Sequence, residues 1–433
     1  MPHLPALTRH RTRSRAVGRE TGATSLSLVA LAIVGLTLLM AGGVGAQSQP
    51  VGEIRALLVP ARSIESAQAV NRMVQAAAQA GFNTLLVEVR GRGQAYFRSG
   101  VEAMSPALGR AGDEFDPLAQ TLVEAHEAGL RVHALVQVNL VAGTDGLPAR
   151  RDHLIYQHPE WLMVPRDLAA DLRTVDVRDP DYLGRLVRWT RQQRATVEGL
   201  YVSPLHQGMQ TYLAALVSDL ARQYELDGVH FDSVQYPTPD FDVSRGALAL
   251  FKADVRGRVD ADARAEADVL ERIDPLAYPT LFPDEWNRFR QSRLTALVTR
   301  LRNVVRSIRP GTVVSASVTL GSERAQAEHL QDWRTWVSNG FLDAVAPVVG
   351  SRESTPALDA ELSEIRALAG TLPVWAGIGT AARTTAQTAL VVDTARRRGL
   401  DGLLLLSYDS LVSPPNTSDY LLTLARTVFT PGP

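Results

Sequence analysis

Eight short apolar runs, separated by longer segments of helical periodicity, constrain this chain more than any other feature. The runs are IRALLVP (54–60), NTLLVEVR (83–90), RVHALVQVN (131–139), DGVHFDSV (227–234), TVVSASVTL (312–320), LDAVAPVVG (342–350), PVWAGIG (373–379) and GLLLLSYD (402–409). Near-continuous β-branched and leucine runs of this length suit strands buried on both faces. Between them, SIESAQAVNRMVQAAAQAG (63–81) opens on a serine with a glutamate close behind and stops on a glycine. FDPLAQTLVEAHEAG (115–129) places Asp116-Pro117 as N-cap and first helical residue. Segments 210–225, 284–308, 355–370 and 385–399 also read as helices. Strands that alternate with helices build a parallel sheet, and eight of them fit a closed (β/α)8 TIM barrel of the α/β class. The alternative is a doubly wound open sheet, but no glycine-rich dinucleotide fingerprint follows any strand. Two crossovers, 140–226 and 235–311, are far longer than a helix needs. As long insertions after strands 3 and 4 they are expected to build over the C-terminal mouth, where barrel enzymes keep their sites. The barrel is expected over residues 53–430.

The first turns are basic, with Arg9, Arg11, Arg13, Arg15 and Arg19 ahead of Glu20, and an apolar run from Leu26 to Met40 leads to Val44-Gly45-Ala46. Charged start, apolar middle and small residues are the order of a secretory signal peptide over 1–46. An uncleaved membrane anchor is the other reading, because the apolar stretch is about long enough to span a bilayer. Either reading puts the working part outside the cytoplasm, periplasmic or secreted, with the membrane touched only through an uncleaved N-terminal segment.

Composition closes off several chemistries. The formal net charge is −1, and losing five leading arginines and one glutamate makes the rest more acidic. A chain of that charge is a poor binder of nucleic acid through phosphates. There is no cysteine, which excludes disulfides, thiolate metal sites and thiol nucleophiles. Lys252 is the lone lysine and lies in a helical stretch, so Schiff-base catalysis is set aside. No Gly-x-Ser-x-Gly elbow is present. His230 and Asp232 could ligate a metal but lack an obvious third ligand, so neither metal nor cofactor is expected.

Side chains alternate along a strand, so one parity faces the barrel interior. Leu86, Glu88 and Arg90 share a parity on strand two, His133, Gln137 and Asn139 on strand three, and His230 and Asp232 on strand four. Polar groups buried unpaired cost roughly 1–3 kcal/mol each, so several converging at one end suggest a site. Glu88 and Arg90 could instead form a structural ion pair, and His133 could be a satisfied core histidine. Asp232, at a strand end before Tyr236-Pro237, is the hardest to explain as packing. Tyr156, Trp161, Tyr236, Trp286, Trp333, Trp336 and Trp375 fall in the insertions and loops, as a cleft stacking on sugar rings would need. Trp333 and Trp336 stand at helical spacing and read as core, and Trp375 lies inside strand seven.

The segments LDGVHFDSVQYP (226–237), GFNTLLVEVRGRGQAYFRS (81–99), AHEAGLRVHALVQVN (125–139), HPEWL (158–162), DEWNRFR (284–290), WVSNGFLDAVAP (336–347) and WAGIG (375–379) carry a resemblance. In order and spacing they resemble the glycosyl hydrolase-like 10 family, over about 53–410. The resemblance implies a (β/α)8 barrel that hydrolyses glycosidic bonds in polysaccharides. It places Asp232 at the family's strand-four aspartate, and Arg90, His133, Asn139, His230, Tyr236 and Trp286 at other polar or aromatic motif positions. Ser233 stands where the family has a second aspartate, Gln235-Tyr236 where it has an aromatic pair, and Pro347-Val348-Val349-Gly350 where it has PQ-x-Y-W. Glu88 stands where many relatives have glutamine.

Two readings follow. A glycoside hydrolase needs two carboxylates, one protonated as general acid and one acting as nucleophile or base. Asp232 is the first, and Glu88 or Asp409 the second. Arg90, His133, Asn139, His230, Tyr236, Trp286 and Trp375 are the expected substrate contacts, and the partner is a polysaccharide or a peptidoglycan glycan strand. The alternative, prompted by the replaced strand-six aromatics, is a catalytically inactive carbohydrate-binding barrel. A second carboxylate facing Asp232 across the mouth would separate the two.

Overall fold

In the computed structural model the eight runs become eight parallel strands that close on themselves. They are β1 (Ile54–Val59), β2 (Thr84–Gly91), β3 (Arg131–Gln137), β4 (Gly228–Asp232), β5 (Val313–Thr319), β6 (Ala344–Val349), β7 (Trp375–Gly379) and β8 (Gly402–Leu406). Each pairs with the next around the ring, and β1 pairs with both β8 and β2, Ala56 lying beside Thr84 and Val59 beside Val87. Closure of this kind removes both sheet edges, which excludes the open doubly wound sheet. The structure describes residues 52–110, 115–350, 355–381, 383–413 and 418–429. The leading segment read as signal or anchor lies outside them. Among the described residues no helix is long and apolar enough to cross a membrane.

Each strand feeds two cores. Val229 and Phe231 of β4, and Leu85, Val87 and Val89 of β2, pack outward against the helices. Ile54, Ala56, Leu86, Leu135, Ala344, Ala346, Trp375 and Leu404 fill the barrel interior. The helix after β1 begins later than its first serine suggests. A short turn over Ala61–Ile64 comes first, and Ser66, not Ser63, caps Ala67–Gln79 by accepting from the Ala69 amide at 3.2 Å. The helix Pro117–Glu127 is capped as expected, Asp116 accepting from Leu118 and Ala119 at 3.1 and 3.0 Å. β4 is shorter than its apolar run. It stops at Asp232 because Ser233 takes a left-handed backbone, φ 53°, and turns the chain out of the sheet.

The insertions after β3 and β4 differ in what they do. The first sends a two-stranded antiparallel ribbon, Leu140–Gly143 with Gly199–Tyr201, over the strand ends. The second is a helical excursion, Arg245–Val255, Ala261–Leu270 and Ala277–Leu281 leading into the long helix Pro283–Ile308. It closes a satellite core of its own around Phe251, Tyr278, Trp286 and Phe289. Its helices supply none of the described residues that line the mouth cavity, contrary to the expectation that both insertions roof it.

Candidate active site

Five strand ends meet in one cavity of about 590 Å³ at the C-terminal mouth. Leu58 enters from β1, Asp232 from β4, Ser317 from β5, Val348 from β6 and Leu406 from β8. Loops complete the wall with Glu198 from the first insertion, Ser233 and Gln235 after β4 and Ser407 after β8, and the short helix Tyr408–Val412 adds Ser410. The helix Ser322–His329 adds Arg324 and Glu328. A depression of about 720 Å³ on the outer face of helix Pro283–Ile308 is larger, but the residues lining it include no carboxylate, so it offers no acid–base pair.

Asp232 is half-buried at the last position of β4. Burial raises its pKa, opposed by hydrogen bonds from the Ser317 hydroxyl and from the backbone and hydroxyl of Ser233, whose Oγ lies 3.3 Å from Oδ2. Glu198 stands beside Gly199 at the start of the ribbon strand, open to solvent at the rim. Burial by the surrounding walls and then the negative charge of Asp232 raise its pKa, while the Tyr201 hydroxyl, 3.4 Å away, lowers it. Glu88 lies half-buried on β2. Burial raises its pKa, the Ala61 amide donating to Oε2 at 3.0 Å opposes this, and Asp232 raises it further. The negative charge of Asp232 thus opposes ionisation of both Glu198 and Glu88.

His230 is fully buried beneath Asp232, its Nδ1 2.9 Å from Ser315 Oγ and its Nε2 2.9 Å from Ser317 Oγ. Burial, and then His133, push its pKa down to about 3, and burial takes His133 to about 4. His133 and Trp375 lie together in the interior with ring centroids 5.7 Å apart, and His133 Nδ1 and Trp375 Nε1 find no partner among the described residues. Both belong to the barrel filling, below the cavity rather than in its wall.

Several expected contacts are placed elsewhere. The register of β2 against β3 shifts between Glu88 and Arg90, which breaks the alternation that put Arg90 with Glu88. Arg90 is fully buried and paired with Glu102 instead, at 2.8 and 2.9 Å, while Tyr212 donates to the same carboxylate at 3.1 Å. Asn139 lies past the end of β3 and ties the ribbon down, its Nδ2 donating to the Val202 carbonyl at 2.9 Å. Tyr236 is fully buried beside Arg290, whose guanidinium carbon lies 5.6 Å from its ring centre. Trp286 sits in the satellite core, 4.9 Å from Phe251. Asp409 is ion-paired to Arg62 and accepts from Ser407 Oγ, so its charge is already met, and it is not among the lining residues. The aromatic cleft is also absent: no ring is among the described lining residues, because the tryptophans fill cores or, like Trp161, stack on His158 at 3.8 Å.

The sequence reading missed Glu198, Glu328, Arg324 and Ser317. Glu198 is the one acid between Asp181 and Asp219, but it introduces a three-residue strand too short to show a period.

The glycosyl hydrolase-like 10 family model matches residues 59–391. Glycosyl hydrolase DigH of Escherichia coli K12 is 24% identical over 296 residues, which cover 62% of this chain and 54% of that protein. The chain thus spans about half the length of the curated relatives it matches. Among solved structures, the glycoside hydrolase domain of PgaB (BpsB) from Bordetella bronchiseptica superposes with a TM-score of 0.60 at 15% identity, over 87% of this chain and 99% of that one. A cold-adapted β-galactosidase from Rahnella sp. R3 gives 0.59 at 13% identity, over 88% and 56%. At these identities the likeness is one of fold.

Proposed function

This chain belongs to the glycosyl hydrolase-like 10 family, and on that premise we propose that it is an extracytoplasmic glycoside hydrolase acting on a polysaccharide through Asp232 and Glu198. The observation that carries the reading is that both carboxylates line one cavity at the strand ends, each raised in pKa by burial and Glu198 further by Asp232. Two carboxylates whose charges oppose each other's ionisation supply what glycoside hydrolysis requires, one proton held ready beside one negative charge. Asp232, on the rigid strand end and within reach of serine hydroxyls, takes the role of nucleophile or base. Glu198, on the ribbon and open to solvent, takes that of general acid. Glu88 replaces neither: it accepts from the Ala61 amide, lies outside the lining residues, and has its own pKa raised by burial and then by Asp232.

The carbohydrate-binding alternative fits the cavity less well. A barrel kept only to hold sugar would retain rings to stack on, and this wall has carboxylates and hydroxyls but no aromatic residue among those described. The extracytoplasmic location rests on the leading segment, and cell-wall glycan is the first substrate class to test for that reason.

The test is a screen of the chain from Gln47 onward against purified peptidoglycan and a panel of polysaccharides, reading new reducing ends. Activity on at least one substrate, lost in both Asp232→Asn and Glu198→Gln, is expected. The anomer released then separates a nucleophilic Asp232 (retention) from a basic one (inversion). Reducing ends that appear equally with the double variant would remove the assignment.

A further inference from the structure

We propose that Ser315, His230 and Ser317 form a directed hydrogen-bond chain that orients Asp232 and registers its ionisation as the tautomer of His230. The effect on turnover rests on the reading of Asp232 as a catalytic carboxylate; the tautomer does not.

The geometry comes from strand register. His230 of β4 lies directly beside Ser315 of β5, and its two ring nitrogens stand 2.9 Å from Ser315 Oγ and from Ser317 Oγ. Ser317 is the next residue of that parity on β5, as Asp232 is on β4, and both line the mouth cavity. The Ser317 hydroxyl lowers the pKa of the Asp232 carboxyl. His230 and Ser315 are shut off from solvent, so these are the contacts through which the ring meets its polar surroundings.

A neutral imidazole has one N–H and one lone pair, and that fixes the direction. Burial, with His133 the neighbouring titratable group on β3, keeps the ring neutral, its pKa pushed down to about 3. An ionised Asp232 can only accept, so Ser317 donates its hydrogen to it. Ser317 Oγ then accepts from His230 Nε2–H, and the bare Nδ1 accepts from the Ser315 hydroxyl. With Asp232 protonated the order reverses. The carboxyl O–H donates to Ser317 Oγ, Ser317 donates to the bare Nε2, and Nδ1–H donates to Ser315 Oγ. The reversal takes up one proton from solution and leaves the ring uncharged in both states. The charged groups set around Asp232 are Glu88 on β2, Glu198 on the ribbon, and Arg324 and Glu328 on the helix over the mouth. They move the midpoint of the exchange without changing its direction. Ser317 and His230 are positioning residues here: they act on substrate through Asp232.

The experiment is a pH series of long-range 1H–15N spectra of the full chain labelled at histidine, with His230→Gln assigning one ring among the nine histidines. The expected result is a ring that stays neutral and passes from Nδ1–H at low pH to Nε2–H at higher pH, with the midpoint of the Asp232 carboxyl carbon read in 13C spectra. Asp232→Asn should hold the tautomer constant across the series. Ser317→Ala should uncouple the ring from pH and lower kcat roughly ten- to a hundredfold with KM little changed, as loss of orientation does, and Ser317→Thr should restore both. A single tautomer throughout while the Asp232 carbon titrates would overturn the proposal, as would a switch that persists in Asp232→Asn or Ser317→Ala. Because the spectra need no substrate, that failure is distinct from failure to find a glycan.

Discussion

Asp232 and Asp242 stand at the two ends of one loop, and burial raises the pKa of both. Their surroundings differ. Asp242 is fully buried and saturated: Val164 and Ser244 donate their amides at 2.9 Å each, and the Ser244 hydroxyl adds a contact at 3.2 Å. With the Val243 amide bound to the Val164 carbonyl at 2.8 Å, it staples the second insertion to the first. Among the described residues Asp232 has the hydroxyls of Ser233 and Ser317 and one backbone group, and it borders a cavity. A raised pKa alone therefore does not mark a site in this fold. A carboxylate whose oxygens are filled by the protein is structural, and one left partly unfilled at an opening is available to chemistry. The buried Arg90–Glu102 pair belongs with Asp242 by the same criterion.

The largest effect should separate the two ends in rate. Asp232→Asn is expected to lower kcat by roughly a hundred- to ten-thousandfold, the range for a lost acid–base or nucleophilic carboxylate, with the circular dichroism of the folded chain unchanged. Glu198→Gln is expected to fall in the same range, and its pH profile carries more information. A general acid must be protonated, so the wild type loses kcat as pH rises through the raised pKa of Glu198, and the variant loses that alkaline limb. Near-normal turnover in Asp232→Asn on a confirmed substrate would erase the distinction between the ends of the loop.

The structural end should respond in stability instead. Glu102→Ala leaves the Arg90 guanidinium buried without its carboxylate, and loss of one partner of such a pair costs about 3–5 kcal/mol. Asp242→Ala strands the Val164 and Ser244 amides, at roughly 1–3 kcal/mol for each buried donor left unpaired. Denaturant titration should show both losses, while kcat of the folded fraction at low temperature stays close to wild type. An Asp242→Ala variant that unfolds at the wild-type midpoint but has no turnover would reverse the comparison.

How much of this was legible before the structure follows from periodicity. A strand covered on both faces leaves a continuous apolar run, so all eight barrel strands could be found, and Asp232 with them as the polar residue ending one run. Glu198 left no such mark, because its strand is three residues long and its partner strand lies more than fifty positions away. Arg90 was misplaced because a bulge leaves no trace in the alternation until the pairing is seen. Trp286 and Tyr236 were misread because an aromatic residue in an insertion serves a cleft or a satellite core equally well, and Phe251 and Arg290, which decide between them, are distant in sequence.

The smallest effect is the one in which the sign matters most. Burial sets the folded-state pKa of Asp232 above its unfolded value, so the native chain binds the proton more tightly than the unfolded chain does. Stability linked to this group then falls as pH rises from the unfolded pKa through the folded one, the reverse of a carboxylate held down by an ion pair. Above the unfolded pKa the burial of this carboxyl opposes folding, and a neutral isostere removes that opposition. Asp232→Asn should therefore melt slightly above the wild type at neutral pH. The difference should shrink as pH falls through the folded pKa and vanish once Asp232 is protonated in both states. A carboxylate held below its unfolded pKa by an ion pair would give the opposite sign, with the variant melting early at neutral pH and the gap closing in acid. Paired melting curves at several pH values distinguish the two, and a variant less stable than wild type at neutral pH, with the gap closing in acid, would overturn the raised pKa of Asp232.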